Sequence, residues 1–122
     1  MKIKNVNLDY DLENDILFFY IDNEEYEFSE ILNKSIAMDF NKNKKPIGLE
    51  ISNASKQFKT KKIYLQPVKE ANVKIFVDGK DIKLNIKLLV EIHNKQTPLE
   101  NVNIIETNDL NIPNIETNMA IA

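Results

Sequence analysis

Acidic side chains at close spacing are the first residues in this chain that could do chemistry. Asp9, Asp11, Glu13 and Asp15 occupy every second position of one short run, which suggests a cation-binding loop. A calcium loop of the helix–loop–helix kind needs glycine at its sixth place and a bidentate Glu at its twelfth. Counted from Asp9, those places hold Asn14 and Tyr20, so the pattern fails. A metal site of Asp11, Glu13 and Asp15 is the weaker alternative. The favoured expectation is a tight turn whose backbone N–H groups bond to Asp11 and Asp15, the routine use of Asp between two apolar runs. A carboxylate pair for acid–base work would need Glu50 and a neighbour such as Asp39 on an adjacent strand. Glu50 lies between Leu49 and Ile51, so it points away from the face they share. If that face is core, Glu50 is exposed or at an interface; otherwise it is buried and needs a partner.

Other chemistries are thinly supplied. His93 is the single histidine and sits in a polar stretch with no partner placed beside it by sequence; a general base needs one to orient it. The chain has no cysteine, which excludes disulfides, thiolate metal sites and a thiol nucleophile together. Gly48 and Gly79 are its two glycines, so neither a phosphate-cradling loop nor a dinucleotide fingerprint exists. Gly48 is expected to permit a bulge or a close backbone approach, and Asp78-Gly79 to form a short hairpin turn. No catalytic residue, metal ligand or cofactor is assigned.

Lysine offers the remaining possibility. Lys42, Lys44, Lys45, Lys56, Lys59, Lys61 and Lys62 could line one edge, with Phe58 and Tyr64 available to stack on bases. Against this, the chain is acidic overall, with a net charge of −3 and a pI near 5.2. It has 16 Lys and no Arg, and the guanidinium fork that grips phosphate or guanine cannot be replaced by Lys. The 17 Ile, 17 Asn and 16 Lys are what an AT-rich genome would encode. A solvated lysine face is the favoured reading, and nucleic-acid binding the alternative. Charge is divided along the chain: residues 1–40 hold 3 Lys against 10 acids, and residues 41–74 hold 9 Lys against 2. Such polarity could orient a partner, but neighbouring strands that neutralise one another are the simpler expectation.

Alternation of apolar and polar residues dominates and predicts strands. These fall over 6–10, 16–21, 35–40 and 47–51, with an ambiguous stretch over 27–33. The 16–21 run is apolar enough to be covered on both faces. Ser52 could cap a short helix over 53–58, and Ile63-Tyr64-Leu65 reads as extended. Strands follow around 73–77 and 82–88, with a bulge hinted at by Leu88-Leu89-Val90. His93–Pro98 reads as a loop, and 102–105 as a last strand. Ile105-Glu106-Thr107-Asn108 recurs as Ile115-Glu116-Thr117-Asn118, but two copies do not make a repeat architecture.

Tyr10, Asp11, Asp15 and Leu17, followed by Gly48, Glu50, Ile51, Ala54 and Ser55, resemble the signature of the domain of unknown function 2283 family. The resemblance covers about residues 8–55. It implies a hairpin-rich β fold and an uncharacterised, antitoxin-like partner of a small toxin; it implies no activity.

The expected fold is therefore mostly β: an antiparallel meander with one short helix over 1–62, an antiparallel extension packed on it over 63–106, and an extended or flexible tail over 107–122. At 122 residues with 43 % hydrophobic content, the chain can bury one core. No apolar run is long enough to span a bilayer and no signal core precedes residue 11, so a cytoplasmic protein is expected. Free strand edges point to a non-enzymatic interaction protein that binds a protein partner or itself. Contacts are expected at Glu50, Lys56, Lys59, Lys61, Lys62 and Tyr64, with Asp11, Asp15, Gly48 and Gly79 holding turns. Ile112, Ile115 and Met119 in the tail could supply a strand to a partner.

Overall fold

A computed structural model describes residues 2–3, as backbone only, and residues 6–121. Alternation builds two sheets. Sheet A comprises β1 (Lys2–Ile3), β7 (Val68–Val77), β8 (Asp81–Ile92), β9 (Lys95–Pro98), β10 (Val102–Thr107) and β11 (Ile115–Ile121). Its order is β1-β11-β7-β8-β10, with β9 also pairing β8. Sheet B comprises β2 (Val6–Asp11), β3 (Ile16–Ile21), β4 (Phe28–Ile31), β5 (Ile36–Phe40) and β6 (Pro46–Ser52), in the order β2-β3-β6-β5-β4. All pairings are antiparallel except β1 with β11. The fold is mostly β, with one four-residue helix, α1 (Ala54–Gln57), and a 3₁₀ turn at Lys62–Leu65.

Each sheet buries one face, and both buried faces belong to a single core. Leu17, Phe19, Met38, Phe40, Leu49 and Ile51 from sheet B join Val73, Ile75, Val77, Leu84, Ile86 and Met119 from sheet A. The sheets therefore face one another as the two layers of a sandwich. Ala54 and Phe58 around α1, and Leu65 in the 3₁₀ turn, add fully buried side chains to the same core.

Several local expectations need correction. β3 is not covered on both faces: Leu17 and Phe19 are buried, while Tyr20 is exposed. Ser52 ends β6 and does not cap α1; Asn53 takes that place in a left-handed conformation. Residues 63–65 lie in the 3₁₀ turn rather than a strand. His93-Asn94 is a two-residue hairpin loop with both φ values positive, as a type I′ turn requires, and β9 follows where a loop was expected. The bulge hinted at near Leu88–Val90 is real, but its extra residue is Lys69 on the facing strand. The tail is not loose: β11 lies inside sheet A between β1 and β7. Its Ile112 and Met119 are buried in their own core, so they are spent within the chain. The Ile-Glu-Thr-Asn echo carries no structural repeat, since Asn108 is buried beyond the end of β10 whereas Thr117 is the buried residue of the second copy.

Candidate functional site

The resemblance residues separate into two groups on opposite sides of sheet B. The first is internal. Asp15 is 6 % exposed and accepts the Tyr10 hydroxyl at 2.6 Å, the Ser55 hydroxyl at 2.7 Å and the Ser55 N–H at 3.0 Å. Its carbonyl also accepts the Ala54 N–H. Two N–H groups at the start of α1 are thus bonded by a residue some 40 positions earlier, in place of a local cap. Burial opposes ionisation of Asp15, but the bonds from Tyr10 and Ser55 and the charge of Lys62 outweigh it and hold its carboxyl below the ordinary range. Tyr10 is driven the other way, by burial and by the Asp15 carboxylate it bonds. Asp11 behaves as a turn residue, accepting the Asn14 N–H at 3.0 Å and the Asn14 side chain at 2.9 Å. Asp15 does not bond within the turn, as the sequence suggested; it ties the turn to the helix.

The second group lies on the outer face of sheet B. Leu49 and Ile51 are buried, so Glu50 turns outward, half-buried. Cross-strand register sets out two rows on this face. Asn7, Tyr20, Gly48, Asp39 and Ser29 form one, and Asp9, Phe18, Glu50, Ala37 and Ile31 the other. Asp39 lies across Gly48: a Cβ there would stand 2.9 Å from Asp39 Oδ2 and 3.1 Å from the Phe19 carbonyl. Gly48 is thus the place of close approach, and the bulge in this pairing falls beside it at Ile47. Asp39 accepts the Ser29 hydroxyl at 2.6 Å, which is bonded to the Tyr26 hydroxyl at 2.8 Å. Glu50 is pushed up by partial burial, by the charge of Asp39 and by a hydrogen bond with it. The two acids considered together from sequence thus stand diagonally on adjacent strands of one face. Tyr20 donates to Asp9 at 2.9 Å, and that bond raises its phenol.

No lysine lies in any strand of sheet B. Its acids are not neutralised by neighbouring strands, which corrects the simpler expectation about charge. The apolar members of this surface are Phe18, Tyr20, Tyr26 and Ile31, the last 74 % exposed and Tyr26 62 %. Carboxylates interleaved with aromatic and aliphatic groups can accept cationic side chains and pack their stems. Among the described residues, no three His, Asp or Glu side chains gather as metal ligands.

The lysines expected along one edge are not together. Lys42, Lys44 and Lys45 lie in the turn before β6, and Lys56, Lys59, Lys61 and Lys62 beyond its far end. A seven-residue strand, about 20 Å long, separates them. Lys44 donates to the Leu110 carbonyl at 2.9 Å, and Lys59 pairs with Glu100 at 3.2 Å, both at the surface. Phe58 is buried in the core and cannot stack on a base. Tyr64 is half-buried, edge-on to His93 with ring centroids 6.4 Å apart. Gly79 has no positive φ and open space around it. Its turn is held by Asp78, which accepts the Lys80 and Asp81 N–H groups at 2.8 and 2.7 Å.

An antiparallel two-sheet sandwich with one acidic, aromatic face is the class that this geometry defines. Residues 7–55 match the family described as "Protein of unknown function (DUF2283)", and the chain belongs to that family. It is also 32 % identical over 105 residues to a Methanosarcina mazei protein named "Putative hypoxanthine phosphoribosyltransferase", covering 86 % of this chain and 84 % of that one. No solved structure matches the chain. No helix among the described residues is long and apolar enough to cross a membrane.

Proposed function

We propose that the chain is a non-enzymatic interaction protein whose outer face of sheet B binds a protein partner rich in lysine or arginine. The observation that carries this reading is the pair of cross-strand rows in which Asp9, Asp39 and Glu50 lie among Phe18, Tyr20 and Ile31 with no lysine on the sheet. Aromatic anchors among complementary charges are what protein interfaces use. An antitoxin-like protein that holds a small partner in the cytoplasm is the concrete form of this reading; self-association is its alternative. The lysine-mediated nucleic-acid reading ranks below both, because its cations are divided between two ends of β6 and Phe58 is inside.

The M. mazei relative is named for transfer of a phosphoribosyl group to hypoxanthine. We do not extend that activity to this chain, whose two glycines provide no loop to cradle a phosphate. Incubation with hypoxanthine and a phosphoribosyl pyrophosphate donor should give no product above a protein-free control; turnover abolished by mutation of Asp39 or Glu50 would overturn the non-enzymatic reading. Binding is tested by fluorescence anisotropy with a cationic polypeptide, single-stranded nucleic acid and duplex, at low and physiological salt, beside sedimentation of the protein alone. The cationic probe should bind at both salts and lose affinity in Asp39→Asn/Glu50→Gln. Nucleic-acid binding should fade with salt through counterion release. Sub-micromolar nucleic-acid binding that persists at physiological salt would reverse the order.

A further inference from the structure

β4 ends sheet B, and β5 is the strand that pairs with it. Leu32 donates its N–H to the Ile36 carbonyl at 2.8 Å. Antiparallel bonding alternates along a strand, so Glu30 and Phe28 also face β5. Ser29 and Ile31 then turn their N–H and C=O groups to the open side. Strand edges of this kind are templates for another strand unless lysine, proline or a covering element blunts them. β4 contains neither lysine nor proline, its one charged residue is Glu30, and its last residue, Ile31, is the most exposed large apolar residue among those described.

The charge around this edge selects the occupant. Residues 5–33 hold nine acids and no lysine, and Glu24, Glu25, Glu27 and Glu30 all lie on or just before β4. A second copy paired about a two-fold axis would bring eight of these glutamates to one seam, and like charges across paired strands destabilise. An extended segment carrying lysine or arginine meets the opposite field.

We propose that the free edge of β4 takes an extended, cationic segment of a protein partner as a sixth strand of sheet B. The proposal rests on the reading of this sheet as the binding surface, and it names where and how the partner docks. The register defines its pattern. A partner residue opposite Ser29 continues the row that ends in Asp39 and Ser29, where a lysine can reach the carboxylate. A partner residue opposite Ile31 continues the row of Glu50, Ala37 and Ile31, where an aliphatic side chain packs. Main-chain bonds to Ser29 and Ile31 supply the affinity, and the alternate side chains supply selection.

The probe is a capped, fluorescent Lys-Thr-Val-Thr-Lys-Thr-Val-Thr-Lys peptide, the Lys-Val peptide, in which Lys and Val alternate along one face; it is compared with its Glu-Val counterpart and with two forms of the Lys-Val peptide N-methylated at alternate residues, one in each phase. The Lys-Val peptide should bind, and the Glu-Val peptide should not. One methylated phase should bind roughly ten-fold more weakly than the other, the loss of about two net hydrogen bonds. Ile31→Pro, which removes an outward N–H from an exposed position, should weaken the parent peptide to a similar degree. Equal binding of both methylated peptides and the parent would overturn the edge while leaving face binding intact, and it is read on the unmutated protein even if Ile31→Pro fails to fold. No binding of the Lys-Val peptide at low salt would overturn the face reading and the edge with it. A dimer whose free form already protects the Ser29 and Ile31 amides from hydrogen exchange would replace the cationic partner by a second copy.

Discussion

Asp15 is the residue on which the resemblance motif converges, and its role is to be a buried anion with three donors. Asp15→Ala leaves the Ser55 N–H and the Tyr10 hydroxyl without their partner, and should destabilise by about 2–4 kcal/mol in chemical denaturation. Tyr10→Phe, which loses one bond, should cost about 1 kcal/mol. The carboxyl is held below its ordinary range. Its stabilisation is therefore present above the unfolded value and lost as pH falls through the native one. Glu50 has the opposite sign, because its carboxyl is raised: its contribution is present below the unfolded value and lost as pH rises through the native one. Glu50→Gln should then raise the melting temperature at neutral pH, and the gain should vanish on acidification through the carboxylate range. A gain that is constant with pH would show that the raised Glu50 carboxyl is not its cause. Gly48→Ala should cost about 1–2 kcal/mol by crowding Asp39 and the Phe19 carbonyl, with part recovered in an Asp39→Ala background. At this scale the sequence showed that Glu50 points away from Leu49 and Ile51, and that Asp39 was a candidate neighbour. It could not show Tyr10, Asp15 and Ser55 meeting, because the contact joins a hairpin to a helix about forty residues on.

Strand positions were legible because period-two alternation is imposed by a buried face, and Ile16–Ile21 matches to the residue. Connections were less so. Asp78-Gly79 suggested a turn that depends on glycine, yet the turn depends on the Asp78 carboxylate, which its bonds from the Asp81 and Lys80 N–H groups hold below the ordinary range. Asp78→Ala should therefore lower the melting temperature measurably, and Gly79→Ala should leave it almost unchanged; the reverse ranking would contradict this. Asparagines that codon bias made uninformative prove to be turn residues. Asn33 accepts the Ser35 and Ile36 N–H groups, and Asn41 those of Asn43 and Lys45. Asn108 bonds Asp78 and Ile112 across the crossing that leads to β11. β9 and β11 were missed because Lys95–Pro98 is polar throughout and Ile115–Ile121 interrupts its alternation with Ala120. Both owe their structure to long partners already in place, β8 and β7.

The two sheets share one core, so neither half of the sequence is complete alone. A fragment of residues 1–62 would leave Leu17, Phe19, Met38, Leu49 and Ile51 without sheet A above them, and it should give a poorly dispersed NMR spectrum. A cooperative, dispersed one would divide the chain into two domains. Charge is partitioned unevenly: the strands of sheet B carry Asp9, Asp11, Glu30, Asp39 and Glu50 with no lysine, while β7 and β8 set Lys69, Lys74, Lys83 and Lys87 against Glu70, Asp81 and Glu91. Composition alone showed the segments but not that sheet formation would leave the strands of one layer without lysine to offset their acids. The central claim is that this acidic, aromatic layer, and not the lysines at the ends of β6, meets the partner. An amide-resolved NMR titration at physiological salt with the Lys-Val peptide and a DNA duplex tests it most directly. The peptide should shift Tyr20, Ser29, Ile31, Asp39 and Glu50 saturably while the duplex leaves the spectrum unchanged. Shifts confined to Lys42–Lys45 and Lys56–Lys62, produced by the duplex and not by the peptide, would contradict it.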